Sequence, residues 1–109
     1  MPGLWCAAAL VIYFQSAALG ARQGAQPARA AVTIENYAFE PDPITVRPGT
    51  TVVWTNRDEV AHNVVSRDGL FTSPDLEANG RFEYTFKKAG TFDYFCSIHP
   101  EMKGRVIVK

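Results

Sequence analysis

The stretch Tyr94-Phe95-Cys96-Ser97-Ile98-His99-Pro100-Glu101-Met102-Lys103-Gly104 lies on a loop between two segments that read as strands. It carries a thiol, an imidazole and a thioether, each separated from the next by two residues. Ahead of it, Thr91 to Cys96 alternates so that Phe92, Tyr94 and Cys96 share one face. Behind it, Arg105 to Lys109 (RVIVK) reads as a closing strand.

Working outward, the period stays closer to two than to 3.6. Arg81 to Lys87 (RFEYTFK) points Phe82, Tyr84 and Phe86 inward and Glu83 and Thr85 outward, and Lys88-Ala89-Gly90 turns the chain. Upstream, Ala31 to Phe39 (AVTIENYAF) is predicted as a first strand, broken by Glu40-Pro41-Asp42-Pro43. Ile44-Thr45-Val46 is a short strand, and Arg47-Pro48-Gly49-Thr50 is a turn. Thr51 to Thr55 (TVVWT) follows as a strand with Val52 and Trp54 on one face. Asn56 to Glu59 forms a polar loop, and His62 to Ser66 resumes as a strand. Arg67 to Gly80 has no sustained period and is predicted as a long surface connection. Seven or eight short strands with no convincing helix predict an all-β, antiparallel sandwich.

The 109 residues allow one small domain, and not all of them are expected in it. Leu4 to Phe14 is an apolar run followed by small and polar residues, the layout of a secretory signal peptide. Ala28-Arg29-Ala30 fits the small-x-small cleavage pattern before Ala31, and Ala18-Leu19-Gly20 offers an earlier cut before Ala21. Met1-Pro2-Gly3 lacks the usual basic n-region. The run is about half of the roughly 20 residues that span a bilayer, which weighs against an uncleaved anchor. Cys6 sits too early in the run for a lipidated cysteine. The expected organisation is a cleaved signal peptide, 1–30, and one domain, 31–109, periplasmic or otherwise exported and with no stable membrane insertion.

Removing residues 1–30 takes Arg22 and Arg29 away, so Lys and Arg fall from 11 to 9 against 11 acids. Neither that balance nor the sequence shows the basic, aromatic-interleaved patch of a nucleic-acid binder. Cys6 leaves too, so the mature chain keeps Cys96 alone. A lone thiol in an exported protein has no internal disulfide partner, and metal ligation would account for it.

Taken singly, a His beside an apolar strand, a Cys ending an aromatic strand and a loop Met are ordinary packing residues. Together they are not. The two His of the whole chain, His62 and His99, join Cys96 and Met102 in the set that builds a mononuclear blue-copper site. In such a site two imidazoles and a thiolate lie in a plane, with a long axial thioether.

At these residues the chain resembles the cupredoxins of the plastocyanin–azurin superfamily, and most closely the amicyanins. The resemblance runs from about Ala31 to Lys109. It rests on Ile44-Thr45-Val46-Arg47-Pro48-Gly49-Thr50-Thr51-Val52-Val53-Trp54-Thr55-Asn56, on His62-Asn63-Val64, and on Gly90-Thr91-Phe92-Asp93-Tyr94-Phe95-Cys96 followed by His99-Pro100-x-Met102-x-Gly104. The two gaps of two residues match the short ligand loop of amicyanins. The resemblance implies a Greek-key sandwich with one Cu(I)/Cu(II) ion held by His62, Cys96, His99 and Met102. It also implies a monomeric carrier of single electrons between redox proteins, dehydrogenase or cytochrome-like. It places Asn63, Ser97 and Pro100 around the ligands, with Asn63 tying its loop to the ligand loop near Ser97; a plain turn Asn is the competing reading of Asn63. It further implies a buried His62 and a His99 near the surface within an apolar collar. Glu101 departs from the family, standing where amicyanins carry an apolar aromatic.

Three rivals compete with the carrier. A copper chaperone, storage or sensing module would use the same ligands, although such sites lean on clusters of Met and Cys. The copper enzymes that resemble this chain need further His for a second centre, and a binuclear site needs a second Cys on the ligand loop; both are absent from the sequence, so no enzyme activity is expected. Zinc accepts Cys and His, but Met102 argues against it.

Overall fold

The computed structural model describes residues 28–109. The expected signal peptide lies outside the described residues except for its last three. Eight strands follow in order: β1 (Arg29–Glu35), β2 (Ala38–Glu40), β3 (Ile44–Val46), β4 (Thr50–Asn56), β5 (Val65–Ser66), β6 (Arg81–Phe86), β7 (Gly90–Phe95) and β8 (Lys103–Val108). They form two four-stranded sheets, β2-β1-β4-β6 and β3-β8-β7-β5, packed as a sandwich. The all-β sandwich is as expected. Its sheets are mixed, because β1 pairs with β4 and β3 with β8 in parallel, while the remaining pairs are antiparallel.

Alternation buries the predicted faces. Val52 and Trp54 of β4 have no exposed surface, and Phe86, Tyr94 and Cys96 are buried from the other segments. Phe82, Tyr84 and Phe92 are partly buried against the same core. The Arg47–Thr50 turn closes through Thr50 N–H donating to Arg47 O at 3.1 Å, with Gly49 at φ 93°. Pro at the second position and a left-handed glycine at the third suit a type II turn.

Three predicted segments differ. Ala31–Phe39 is a hairpin and not one strand: Glu35 pairs with Ala38 across a two-residue connection, Asn36 and Tyr37, at φ 55° and 59°. Both values are positive, the pattern of a type I′ turn. The predicted strand His62–Ser66 narrows to Val65–Ser66, with His62 held by an isolated bridge to Leu76 and Val65 by one to Thr72. Arg67–Gly80 is therefore no mere surface connection. Phe71, Ser73 and Leu76 are buried, and the Ser73 hydroxyl accepts from Val64 N–H at 2.8 Å. Its pairing comes one bridge at a time, too short to give a period.

Candidate metal centre

The centre is assembled from two loops. The first leaves β4 at Asn56, whose side chain is fully buried. Its Nδ2 donates to Val60 O at 2.9 Å and Leu76 O at 2.8 Å, and its Oδ1 accepts from Asp58 N–H at 2.9 Å. One amide thus fixes the whole turn that presents His62. The His62 backbone exchanges hydrogen bonds with Leu76 at 3.2 and 2.7 Å.

The His62 ring has no exposed surface, and its Nε2 lies 2.8 Å from Asp58 Oδ2. A carboxylate there fixes the tautomer: Nε2 carries the proton, and Nδ1 keeps its lone pair free. Asp58 also accepts from the amides of Asn36 at 2.8 Å and Tyr37 at 3.0 Å. Burial pushes its carboxyl up, but the Tyr37 and Asn36 amides and the His62 ring outweigh that and hold it below the ordinary carboxylate range.

The second loop joins β7 to β8. Cys96 N–H donates to Met102 O at 3.1 Å and Met102 N–H to His99 O at 2.9 Å, so the loop closes on itself. Cys96 is free and buried, and its Sγ accepts from Asn63 N–H at 3.5 Å. The two loops are joined by a reciprocal pair: Asn63 Nδ2 donates to Ser97 Oγ and Ser97 N–H donates to Asn63 Oδ1, both at 2.7 Å. The expected Asn63–Ser97 tie is present, and Asn63 is no plain turn residue.

Together these constraints bring three donors to one point. Cys96 Sγ lies 3.8 Å from His62 Nδ1 and 3.9 Å from His99 Nδ1, and all three atoms fall within 4.8 Å of one another. Metal bonds of about 2.0–2.3 Å to nitrogen and thiolate would set the corners of a planar three-ligand site roughly 3.5–4 Å apart, so the cluster has the size such an ion needs. His62 and Cys96 are buried and His99 half-buried. Met102, 3% exposed, closes the same loop, while Pro100 and Glu101 are exposed.

Sequence reasoning missed two neighbours. Asp58 precedes His62 by four residues, a spacing that signals contact on a helix but nothing on a loop. Tyr37 reads as a strand residue in the sequence, yet its ring stands edge-on to His62 and His99, with centroids 5.2 and 4.9 Å away.

A sandwich that buries a thiolate-capable Cys between two imidazoles at one end defines a mononuclear soft-metal protein. The chain belongs to the cupredoxin family: the Cupredoxin-like domain model matches residues 4–108. It is 35% identical to amicyanin-alpha of Methylorubrum extorquens over the full length of both chains. It is 36% identical to the amicyanin of Paracoccus versutus over 76% of this chain and 67% of that one. Among solved structures, an oxidized methionine-to-leucine mutant of amicyanin superposes with a TM-score of 0.70 at 33% identity, covering 73% of this chain and 81% of the other. A purple cupredoxin from Nitrosopumilus maritimus gives 0.69 at 38% identity, covering 73% and 99%. No helix among the described residues is long and apolar enough to cross a membrane.

Proposed function

We propose that the chain is a small exported type 1 (blue) copper protein that carries single electrons between redox proteins, with His62, Cys96, His99 and Met102 as the copper ligands. The observation that carries this reading is the convergence of His62 Nδ1, Cys96 Sγ and His99 Nδ1 within 4.8 Å. Thiolate and thioether favour Cu(I) and imidazole suits copper in either state, so the donor set matches the metal. The amicyanin relatives include structures in the Cu(I) form, which supports the same assignment. Copper held there would supply the one-electron couple.

What the chain contributes is restraint. The Asp58 carboxylate holds the His62 ring, the Asn63–Ser97 pair locks the two loops, and the Cys96–Met102 and His99–Met102 backbone bonds keep the ligand loop closed. Donors fixed in this way move little when the charge between them changes, which is the condition for a fast carrier. Val60 and Ile98 are exposed apolar side chains on the two ligand-bearing loops, and Glu101 is an exposed acid on the second. A dehydrogenase or a cytochrome-like protein fits the role of redox partner, and the protein acts as a monomeric carrier and not as a catalyst.

An optical and EPR spectrum of the Cu(II)-loaded protein tests the reading. An intense red-region thiolate band with narrow parallel hyperfine splitting is expected, and Cys96→Ala should abolish both. A colourless protein that binds Cu(I) and rejects Cu(II) would replace electron transfer with copper handling.

A further inference from the structure

We propose that Tyr37 is a positioning residue of the metal centre, whose ring caps the two imidazoles and slows exchange of the bound metal with solvent. The role rests on the copper reading above. It is argued first from an anomaly. Asn36 and Tyr37 form the two-residue connection of the β1–β2 hairpin, both at positive φ. Asn, Asp and Gly fill such positions at little cost, whereas a bulky aromatic at φ 59° is a backbone outlier. Strain of that kind persists where the surroundings enforce it, and it is concentrated at functional sites.

Burial does not compensate it, because Tyr37 is 49% exposed. The ring's contacts are with the donors. Its centroid is 4.9 Å from that of His99 at an interplanar angle of 82°, and 5.2 Å from that of His62 at 84°. The two imidazoles meet each other at 5.0 Å and 64°. Three rings therefore pack edge to face, and an imidazole leaving the cluster must break its contact with Tyr37. The backbone beneath the ring is held by the same group that holds His62: Asp58 accepts from the amides of Asn36 and Tyr37 and from His62 Nε2. The hairpin turn and the buried ligand are thus one mechanical unit, and the tyrosine extends it to His99, the half-buried ligand on the other loop.

Two variants separate the ring from the turn. Tyr37→Asn removes the ring and suits the left-handed backbone; Tyr37→Phe keeps the ring. Full-length wild type and both variants are loaded with Cu(II), and separately with Zn(II) as a diamagnetic probe. Metal transfer to excess chelator is timed, and the His99 ring resonances are followed by NMR in the zinc forms. Tyr37→Asn should release either metal at least about tenfold faster, the lower end for removal of a group that orients ligands, with broadened His99 resonances. Tyr37→Phe should match wild type. The metal-free Tyr37→Asn protein should unfold at the same or a higher denaturant concentration than wild type, whereas a purely structural role would lower it. Absence of a thiolate band in Cu(II)-loaded wild type overturns the copper reading. With that band present, equal release from wild type and Tyr37→Asn, or release from Tyr37→Phe as fast as from Tyr37→Asn, overturns the Tyr37 role alone.

Discussion

Gly104 faces Tyr94 across the β7–β8 pair, and a Cβ placed on it would overlap the Cζ and hydroxyl end of the Tyr94 ring. The ring is held by its aromatic neighbours. It is 1% exposed and packed edge-on to Phe39 at 4.7 Å and Trp54 at 5.3 Å. Burial pushes the Tyr94 hydroxyl up, and although Trp54 Nε1 lies toward it, the geometry falls short of a hydrogen bond. Gly104→Ala must therefore displace an aromatic ring in a close-packed core, at a cost of about 1–3 kcal/mol or more. Urea unfolding of the metal-free protein checks this, and an unchanged midpoint would show that the core yields where packing says it cannot. The glycine of the His99-Pro100-x-Met102-x-Gly104 motif thus has a packing role, set just where the ligand loop rejoins the sheet.

At the scale of elements, β7 and β8 also meet through a surface pair. Asp93 and Arg105 are register partners, with Nε to Oδ1 at 2.6 Å and both side chains about half exposed. The guanidinium holds the Asp93 carboxyl below its ordinary range. A carboxyl whose folded pKa is depressed stabilises the fold above its unfolded pKa of about 4, and loses that contribution as pH falls through the folded value. Asp93→Asn should lower the urea midpoint slightly at neutral pH and low salt, and the difference should vanish in acid and shrink in high salt. A gap that persists in acid would assign it to packing. Strands of this kind were legible because they alternate over five or six residues: Phe82, Tyr84 and Phe86 could face only one way. The β1–β2 turn was not, because Tyr37 reads as a strand former and the cue from Asn36 alone is weak. The same misreading hid the cap on the metal centre. The convergence of His62, Cys96 and His99 was legible from residue types and spacing. Asp58 was not, because its contact with His62 depends on how Asn56 shapes the intervening loop.

Over the whole molecule, β1 links two ends with different duties. It begins at Arg29, two residues ahead of the expected mature start at Ala31, and leads into the Asn36–Tyr37 turn at the metal centre. Arg29 and Ala30 pair in register with Thr51 and Val52, Ala30 packs against the core, and Thr51 N–H donates to Ala28 O at 2.8 Å. A chain beginning at Ala31 would lose that bond and the pairing of Arg29 and Ala30, and one lost backbone hydrogen bond costs about 0.5–1.5 kcal/mol. Cleavage before Ala21 would keep these contacts, so we propose the earlier cut. Seven strand residues at about 3.3 Å each put the start of β1 roughly 20 Å along the strand from the turn that meets the ligands. The protein from Ala21 should therefore unfold at higher urea than the protein from Ala31, while their Cu(II) spectra coincide. Coincident midpoints would make residues 28–30 dispensable and restore the cut before Ala31. A changed spectrum would mean that strain at the start of β1 reaches the Tyr37 turn, so that the two ends are not independent.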